Sequence, residues 1–237
     1  MNRFVIFGAS WGLGEVFHRF VPESGDKVWL VSRAKPTLHL EDQIERIWIE
    51  TDLAKKGASQ VVSSAIAAEE LDTAIYNAGI WETLAFTEQY KFEDVTDEEN
   101  ERILTINLVT AISCIKALLP NLRLSQNPKI ILVGSANSHD YVSGQAVAYA
   151  ASKFGLRGVV NALKQGLRQE KTGITLLNPG TFGTIRFHQD KMEVEPVEGY
   201  DGVIAPQDLV TVMECIIKIS RESCIRDIDI VAMLDPF

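Results

Sequence analysis

The feature that most restricts this chain is a short apolar run that empties into glycines. Phe4–Phe7 is followed by Gly8-Ala9-Ser10-Trp11-Gly12-Leu13-Gly14, and Val16, Phe17 and Phe20 then recur with helical spacing. Strand, glycine turn and helix in that order require a tight backbone reversal, which glycine makes without steric cost. They also leave unpaired N–H groups at the positive end of the helix, open to a pyrophosphate. A parallel sheet that binds a nucleotide beyond its carboxyl edge is the architecture this opening implies.

The rest of the chain keeps alternating in the same way. Lys27–Ser32 is rich in β-formers, and the polar stretch after it leaves room for a short helix at Glu41–Arg46 before a strand at Ile47–Glu50. Lys55–Glu69 has helical spacing, and Leu71–Ile80 reads as strand plus turn. Thr96-Asp97-Glu98-Glu99 is a capping box that opens a helix to about Leu119, before Pro120. Lys129–Val133 is uninterruptedly apolar after its first residue, as strands are when both faces of a sheet are covered. A helix through Phe154–Arg168, a strand at Gly173–Leu177, an amphipathic helix at Pro206–Ser220 and a last strand at Asp227–Ala232 complete the pattern. The expectation is an α/β fold with a doubly wound parallel sheet, Rossmann-type, in strand order 3-2-1-4-5-6-7. With no repeat or linker, residues 1–237 read as a single domain. Ile185–Ala205 is the least regular stretch, with Pro196, Gly199, Gly202 and five acids, and long irregular segments inside compact domains usually serve function.

Charge narrows the class of partner. A formal net charge of −9 disfavours nucleic-acid phosphate and anionic membrane. Three cysteines, Cys114, Cys215 and Cys224, have no metal-ligand spacing and read as reduced thiols. The N-terminal apolar run is too short for a signal sequence, and no segment offers 18 uninterrupted apolar residues. The expectation is a cytoplasmic protein without bound metal.

Chemistry concentrates in three places. Tyr149 and Lys153 in YAASK lie four apart, on one face of a helix. A free phenol ionises at a pKa of roughly 10, and a fixed positive charge beside it favours the phenolate, which equips Tyr149 as a general acid or base. Ser135 and Ser138 lie just past the Lys129–Val133 strand, at the carboxyl edge where open parallel sheets place their sites. At the end of the second strand, Ser32 stands where an NAD-type fold has an acid for the ribose 2′-hydroxyl, and Arg33 follows. A guanidinium binds a 2′-phosphate bidentately, so NADP is favoured and NAD is the alternative.

Together these motifs resemble the short-chain dehydrogenase/reductase family, in its shorter single-domain branch, over nearly the whole chain. The glycine loop matches TGxxxGxG except that Phe7 replaces Thr and Trp11 precedes the second glycine. The resemblance implies cofactor contacts from Gly8, Ser10, Trp11, Gly12, Leu13 and Gly14, and from Ser32 and Arg33. It also implies Asp52 and Leu53 beside the adenine, Asn77-Ala78-Gly79 flanking the cofactor, and Pro179, Gly180 and Thr184 near the nicotinamide. Asn107 matches the family's water-holding amide, although by residue type an Asn on an apolar helical stripe is more often a satisfied buried amide. Ser135 matches the catalytic serine but stands 14 residues before Tyr149 where 13 is usual, which keeps Ser138 as second candidate.

The implied reaction is hydride transfer between a nicotinamide and a small, apolar carbonyl or alcohol substrate. Tyr149 would exchange the proton, Ser135 would bond the same oxygen, Lys153 would lower the tyrosine pKa and bond the ribose, and Asn107 would hold a water. The 185–205 segment would be the substrate lid, with Phe187, His188, Met192 and Tyr200 lining the pocket or anchoring the loop. The family resemblance further implies a homodimer or homotetramer through the helices around Asn107 and Tyr149. An intact Asn107, Ser135, Tyr149 and Lys153 weighs against a non-catalytic nucleotide-binding sensor or scaffold, and the short chain weighs against lyase or isomerase relatives.

Overall fold

A computed structural model describes residues 1–138, 144–188, 191–195, 197 and 202–234. Its centre is a seven-stranded, all-parallel sheet built from β1 (Arg3–Phe7), β2 (Lys27–Ser32), β3 (Glu45–Glu50), β4 (Thr73–Tyr76), β5 (Lys129–Val133), β6 (Gly173–Pro179) and β9 (Asp227–Ile230). The order across the sheet is β3-β2-β1-β4-β5-β6-β9, the expected topology with β9 in the seventh place. The chain reverses its direction of travel between β1 and β4, so a crevice opens beyond their carboxyl ends.

Successive side chains of a strand point to opposite faces, and both faces of this sheet are apolar. Val5 and Phe7 of β1 join one buried cluster with Val62 of α2 (Ala58–Ile66), Cys114 and Leu118 of α4 (Thr110–Leu122), and Leu156 and Val160 of α5 (Val147–Gly166). Phe4 and Ile6 join the other, with Leu13 and Phe17 of α1 (Gly12–Phe20) and Leu209 and Met213 of α6 (Pro206–Lys218). The helices therefore cover the sheet as two layers, three on one side and two on the other.

Four local expectations are corrected. No helix forms over Glu41–Arg46: Gln43 has a left-handed φ of 58°, which breaks a helical turn, and β3 already begins at Glu45. The capping box is half made, because Thr96 accepts the Glu99 N–H at 3.2 Å while the Glu99 carboxylate turns to the N–H and hydroxyl of Thr83, both at 2.7 Å. The helix it opens, α3 (Asp97–Leu104), widens into a π-helical turn at Thr105–Val109 and continues as α4 through Pro120 to Leu122. A proline in the last turn removes one helical hydrogen bond without breaking a long interior. Finally, part of the irregular 185–205 stretch is a regular antiparallel hairpin, β7 (Thr184–His188) with β8 (Lys191–Glu195), apart from the main sheet.

The α3–α4 run, Asp97–Leu122, is long and apolar enough to cross a membrane by length and composition, with a mean hydropathy of 1.8 over its most apolar window. Here its apolar side, including Ala111, Cys114, Ile115 and Leu118, is buried in the core.

Candidate active site

The glycine turn shapes the first wall of the crevice. Gly8 has φ +75° and Gly12 φ +59°, conformations that side-chain-bearing residues rarely adopt. A Cβ on Gly8 would stand 2.8 Å from the Ala78 Cα, so β1 and the turn after β4 can meet only because Gly8 has none. Asn77 closes that junction by donating its side-chain amide to the Gly8 carbonyl at 3.3 Å.

A cleft of about 600 Å³ runs along the carboxyl ends of the strands. Of the residues singled out in the sequence, it is lined by Gly8, Ser10, Trp11, Gly12, Leu13, Ser32, Arg33, Asp52, Leu53, Asn77, Ala78, Gly79, Ser135, Tyr149, Lys153, Pro179 and Gly180. Gly14, Asn107 and Thr184 do not line it. Gly14 instead lets α1 start beneath the Gly8 carbonyl, and Thr184 opens the exposed hairpin while Thr181 faces the cleft.

At the cofactor end, Arg33 stands exposed on the rim, with no hydrogen-bond or ion-pair partner among the described residues. No acid occupies the end of β2: the buried Ser32 hydroxyl donates to the Ala34 carbonyl at 2.7 Å and accepts from the Trp48 indole at 3.2 Å. The residues present fit a dinucleotide. The glycine turn leaves backbone open to a pyrophosphate, and the exposed Arg33 guanidinium follows β2 on the rim of the cleft.

At the other end, Tyr149 lies in the first turn of α5 with its ring edge-to-face to Trp81 and Phe86, at centroid distances of 6.2 and 5.8 Å. Ser135 hydrogen-bonds the phenol. Ser138 is turned away, its buried hydroxyl donating to the Ser135 carbonyl at 2.8 Å, with the Asn178 amide oxygen at 3.2 Å as the other acceptor in reach of that proton. Lys153 is buried, and its ammonium donates to the Val133 carbonyl at 2.9 Å.

The electrostatics differ from the simple picture of a lysine lowering a tyrosine pKa. Burial raises the Tyr149 pKa above its ordinary value, the Ser135 hydrogen bond works against that, and the Glu82 carboxylate adds to it. Burial pushes Lys153 itself down to about 8. Both groups lose hydration, and each neutral form is favoured by it.

Asn107 is fully buried in the π-helical turn. Its amide exchanges two 2.8 Å bonds with the backbone N–H and carbonyl of Ile80 and donates to the Ser152 hydroxyl at 2.9 Å. It clamps the turn after β4 to α5, just behind Gly79 and near the Lys153 ammonium. One-residue π-type expansions of a helix often mark functional positions.

Several cleft residues carry no signal of their own in the sequence. Phe86, Gln145, Thr181, Phe182 and Val197 line it. Phe86 holds a left-handed φ of 64°, unusual for so bulky a residue, and its N–H donates to the Gln145 carbonyl at 3.3 Å. Phe187, an expected pocket or anchor residue, is an anchor: its ring stacks on Phe20 and takes the Arg19 guanidinium 4.2 Å above its centre. His188 is exposed on the same hairpin, Met192 is half-buried, and Tyr200 falls outside the described residues.

Residues 2–194 match a family model described as short chain dehydrogenase. A 3-dehydrosphinganine reductase of Arabidopsis thaliana is 31% identical over 196 residues, which are 78% of this chain and only 56% of the plant protein's length. An uncharacterized oxidoreductase of Staphylococcus saprophyticus is 28% identical over 94% of this chain and 92% of its own. Among solved structures, an alcohol dehydrogenase from the archaeon Thermococcus sibiricus, complexed with 5-hydroxy-NADP, superposes with a TM-score of 0.81, at 19% identity, over 100% of this chain and 99% of that one. A metagenomic short-chain oxidoreductase in complex with NADP gives 0.76 at 21% identity, over 99% and 98%. At such identities the likeness to the solved structures is one of fold.

Proposed function

The chain belongs to the short chain dehydrogenase family, and on that premise we propose that it is an NADPH-preferring oxidoreductase acting on the carbonyl or alcohol of a small apolar molecule. The observation that carries this reading is the meeting of Tyr149, Ser135 and Lys153 in the same cleft as the glycine turn. A bound nicotinamide supplies or accepts the hydride. The chain's own residues do the rest.

In the reductive direction Tyr149 donates its proton to the substrate oxygen, a role worth roughly 10²–10⁴ in rate. Ser135 bonds the same oxygen and favours the alkoxide character that develops there. Lys153 would hold the cofactor ribose, and it sets a positive charge 5.4 Å from the Tyr149 ring centre. Asn107 acts by fixing Ile80 and Ser152, and thereby the distance between the turn after β4 and the helix of Tyr149. Trp81, Phe86, Phe182 and Val197 give the substrate end an apolar lining, and the 185–205 segment of the same single domain serves as its lid.

Arg33 supports NADP over NAD. NADPH is expected to be oxidised in the presence of a panel of aldehydes, ketones and quinones, and Arg33→Ala is expected to weaken NADPH by about 10–100-fold while leaving NADH nearly unchanged, the loss of one charge-assisted contact. Absence of turnover with every carbonyl would overturn the activity. Equal NADPH affinity in the variant would overturn the cofactor assignment alone.

Copies of the chain are further proposed to associate through α4 and α5. Val109 at the end of the π-helical turn and Ile112 in the first turn of α4 are 53% and 44% exposed, and Phe154 on α5 is 40% exposed, an apolar face on packed helices. Sedimentation is expected at dimer or tetramer mass, and a monomer at micromolar concentration would remove this proposal. The three cysteines are free thiols, in keeping with a cytoplasmic setting.

A further inference from the structure

The turn after β4 carries a carboxylate that the reaction outlined above does not use. Glu82 is only 1% exposed. Its Oε1 accepts the backbone N–H of Ala148 at 2.7 Å and that of Tyr149 at 3.4 Å. These amides belong to the first turn of α5, whose N-cap residue, Ala146, offers no side-chain oxygen. Caps are normally supplied by an adjacent Ser, Thr, Asp or Asn, whereas this one comes from 66 residues away in sequence. An anion is favoured at the positive end of a helix. Yet the second oxygen, Oε2, is buried with no hydrogen-bond partner among the described residues. A glutamine in the same place would accept from the same amides without burying an unpaired charged oxygen, so capping alone does not account for a glutamate.

We propose that Glu82 is a positioning residue for Tyr149: it fixes the first turn of the helix that presents the phenol and places a buried negative charge against that turn. The proposal rests on the reading of Tyr149 as proton donor.

The surroundings of the phenol are few enough to assign. Among the described residues, Lys153 on the same helix has its ammonium 5.4 Å from the Tyr149 ring centre. Glu82 approaches from the turn after β4, and Ser135 from the loop after β5 bonds the phenol. The Tyr90 hydroxyl reaches only the backbone, accepting the Val147 N–H at 3.3 Å, and Trp81 and Phe86 bring uncharged ring edges. The phenol's own burial is the larger effect against the phenolate, and of these groups Glu82 is the one whose charge adds to it. A phenol kept protonated to higher pH suits donation to a carbonyl, so the arrangement favours reduction.

Two variants separate cap from charge. Glu82→Gln keeps an acceptor for both amides and removes the charge, whereas Glu82→Ala removes both. Ultraviolet difference titration of tyrosinate, taken against Tyr149→Phe as the blank, reads the phenol without any substrate. In Glu82→Gln the Tyr149 inflection is expected to fall by roughly 0.5–1.5 pH units, with Tm within about 2 °C of the parent. In Glu82→Ala the same fall is expected together with a loss of about 2–6 °C in Tm. The alkaline limb of kcat/KM for carbonyl reduction should move down with the titration. An unmoved inflection in Glu82→Gln overturns the charge role, and an unmoved Tm in Glu82→Ala overturns the positioning role. A kinetic limb that fails to follow a displaced titration would instead overturn the proton-donor reading of Tyr149, leaving the influence of Glu82 on the phenol intact.

Discussion

Tyr149→Phe is expected to lower kcat by at least about 10²-fold while leaving the dissociation constant for NADPH within about twofold of the parent. The structure gives the substitution few other ways to act. The backbone of residue 149 is held by Glu82 and by the helix, and the edge-to-face contacts with Trp81 and Phe86 involve the ring that phenylalanine keeps. What disappears is the hydroxyl, with its bond to Ser135. Steady-state kinetics on an accepted carbonyl, paired with a fluorescence titration of NADPH, separates chemistry from binding. Turnover retained in this variant would sink the assignment of proton transfer to Tyr149.

Gly14→Ala is expected to be strongly damaging, with the tightest clash of a single added methyl among the described glycines, although Gly14 does not line the cleft. A Cβ there would stand 1.9 Å from the Gly8 carbonyl oxygen and 3.0 Å from the Ala9 Cα, backbone atoms that cannot rotate aside. Relief requires α1 to move off the turn, at a cost of at least about 3 kcal/mol, which lowers Tm by about 6–12 °C in a chain of this size. NADPH affinity should fall at least about tenfold, because the displaced turn is the one that would meet the pyrophosphate. Gly12→Ala provides the internal comparison. Nothing lies within 4 Å of its Cβ position, so the penalty there is confined to its left-handed φ of +59°, about 1–2 kcal/mol. Equal melting temperatures for the two variants would show that the close approach of Gly14 to Gly8 does not govern stability.

The sheet was legible because its central strands are apolar on both faces and the turns after them are marked by glycine or asparagine. β1, β2, β5 and β6 need no long-range information to be recognised, and the alternation of strand and helix leaves little freedom in their order. The cleft followed for the same reason, since strand ends at a reversal of order must converge. What escaped depends on contacts between distant segments. Glu82 caps a helix whose start lies far along the chain, and nothing around Trp81-Glu82-Thr83 announces it. Glu99 carries the sequence signature of a capping box but finds Thr83 a better partner than its own N-cap backbone. Gln43 and Phe86 take left-handed conformations without being glycine or asparagine, so no local rule marks either turn. The β7–β8 hairpin was written in plain alternation, Ile185 and Phe187 facing Val194 and Met192, but its neighbouring acids, proline and glycines suggest a loop instead.

The loop that carries Ser135 owes its shape to the far end of the sequence. Gly134 lies so close to the Asn178 side chain that a Cβ would fall 2.2 Å from its oxygen. The same Asn178 amide donates to Asp227 at 2.7 Å and Asp229 at 2.9 Å, while Arg157 pairs with Asp227 and donates to Ser138. A ribosome delivers β9 after every other strand, at about 5–20 residues per second. The nucleotide wall can therefore assemble on a nascent chain while the serine loop still lacks its brace. The Ser135 loop thus takes its shape later in synthesis than the glycine turn at the other end of the cleft.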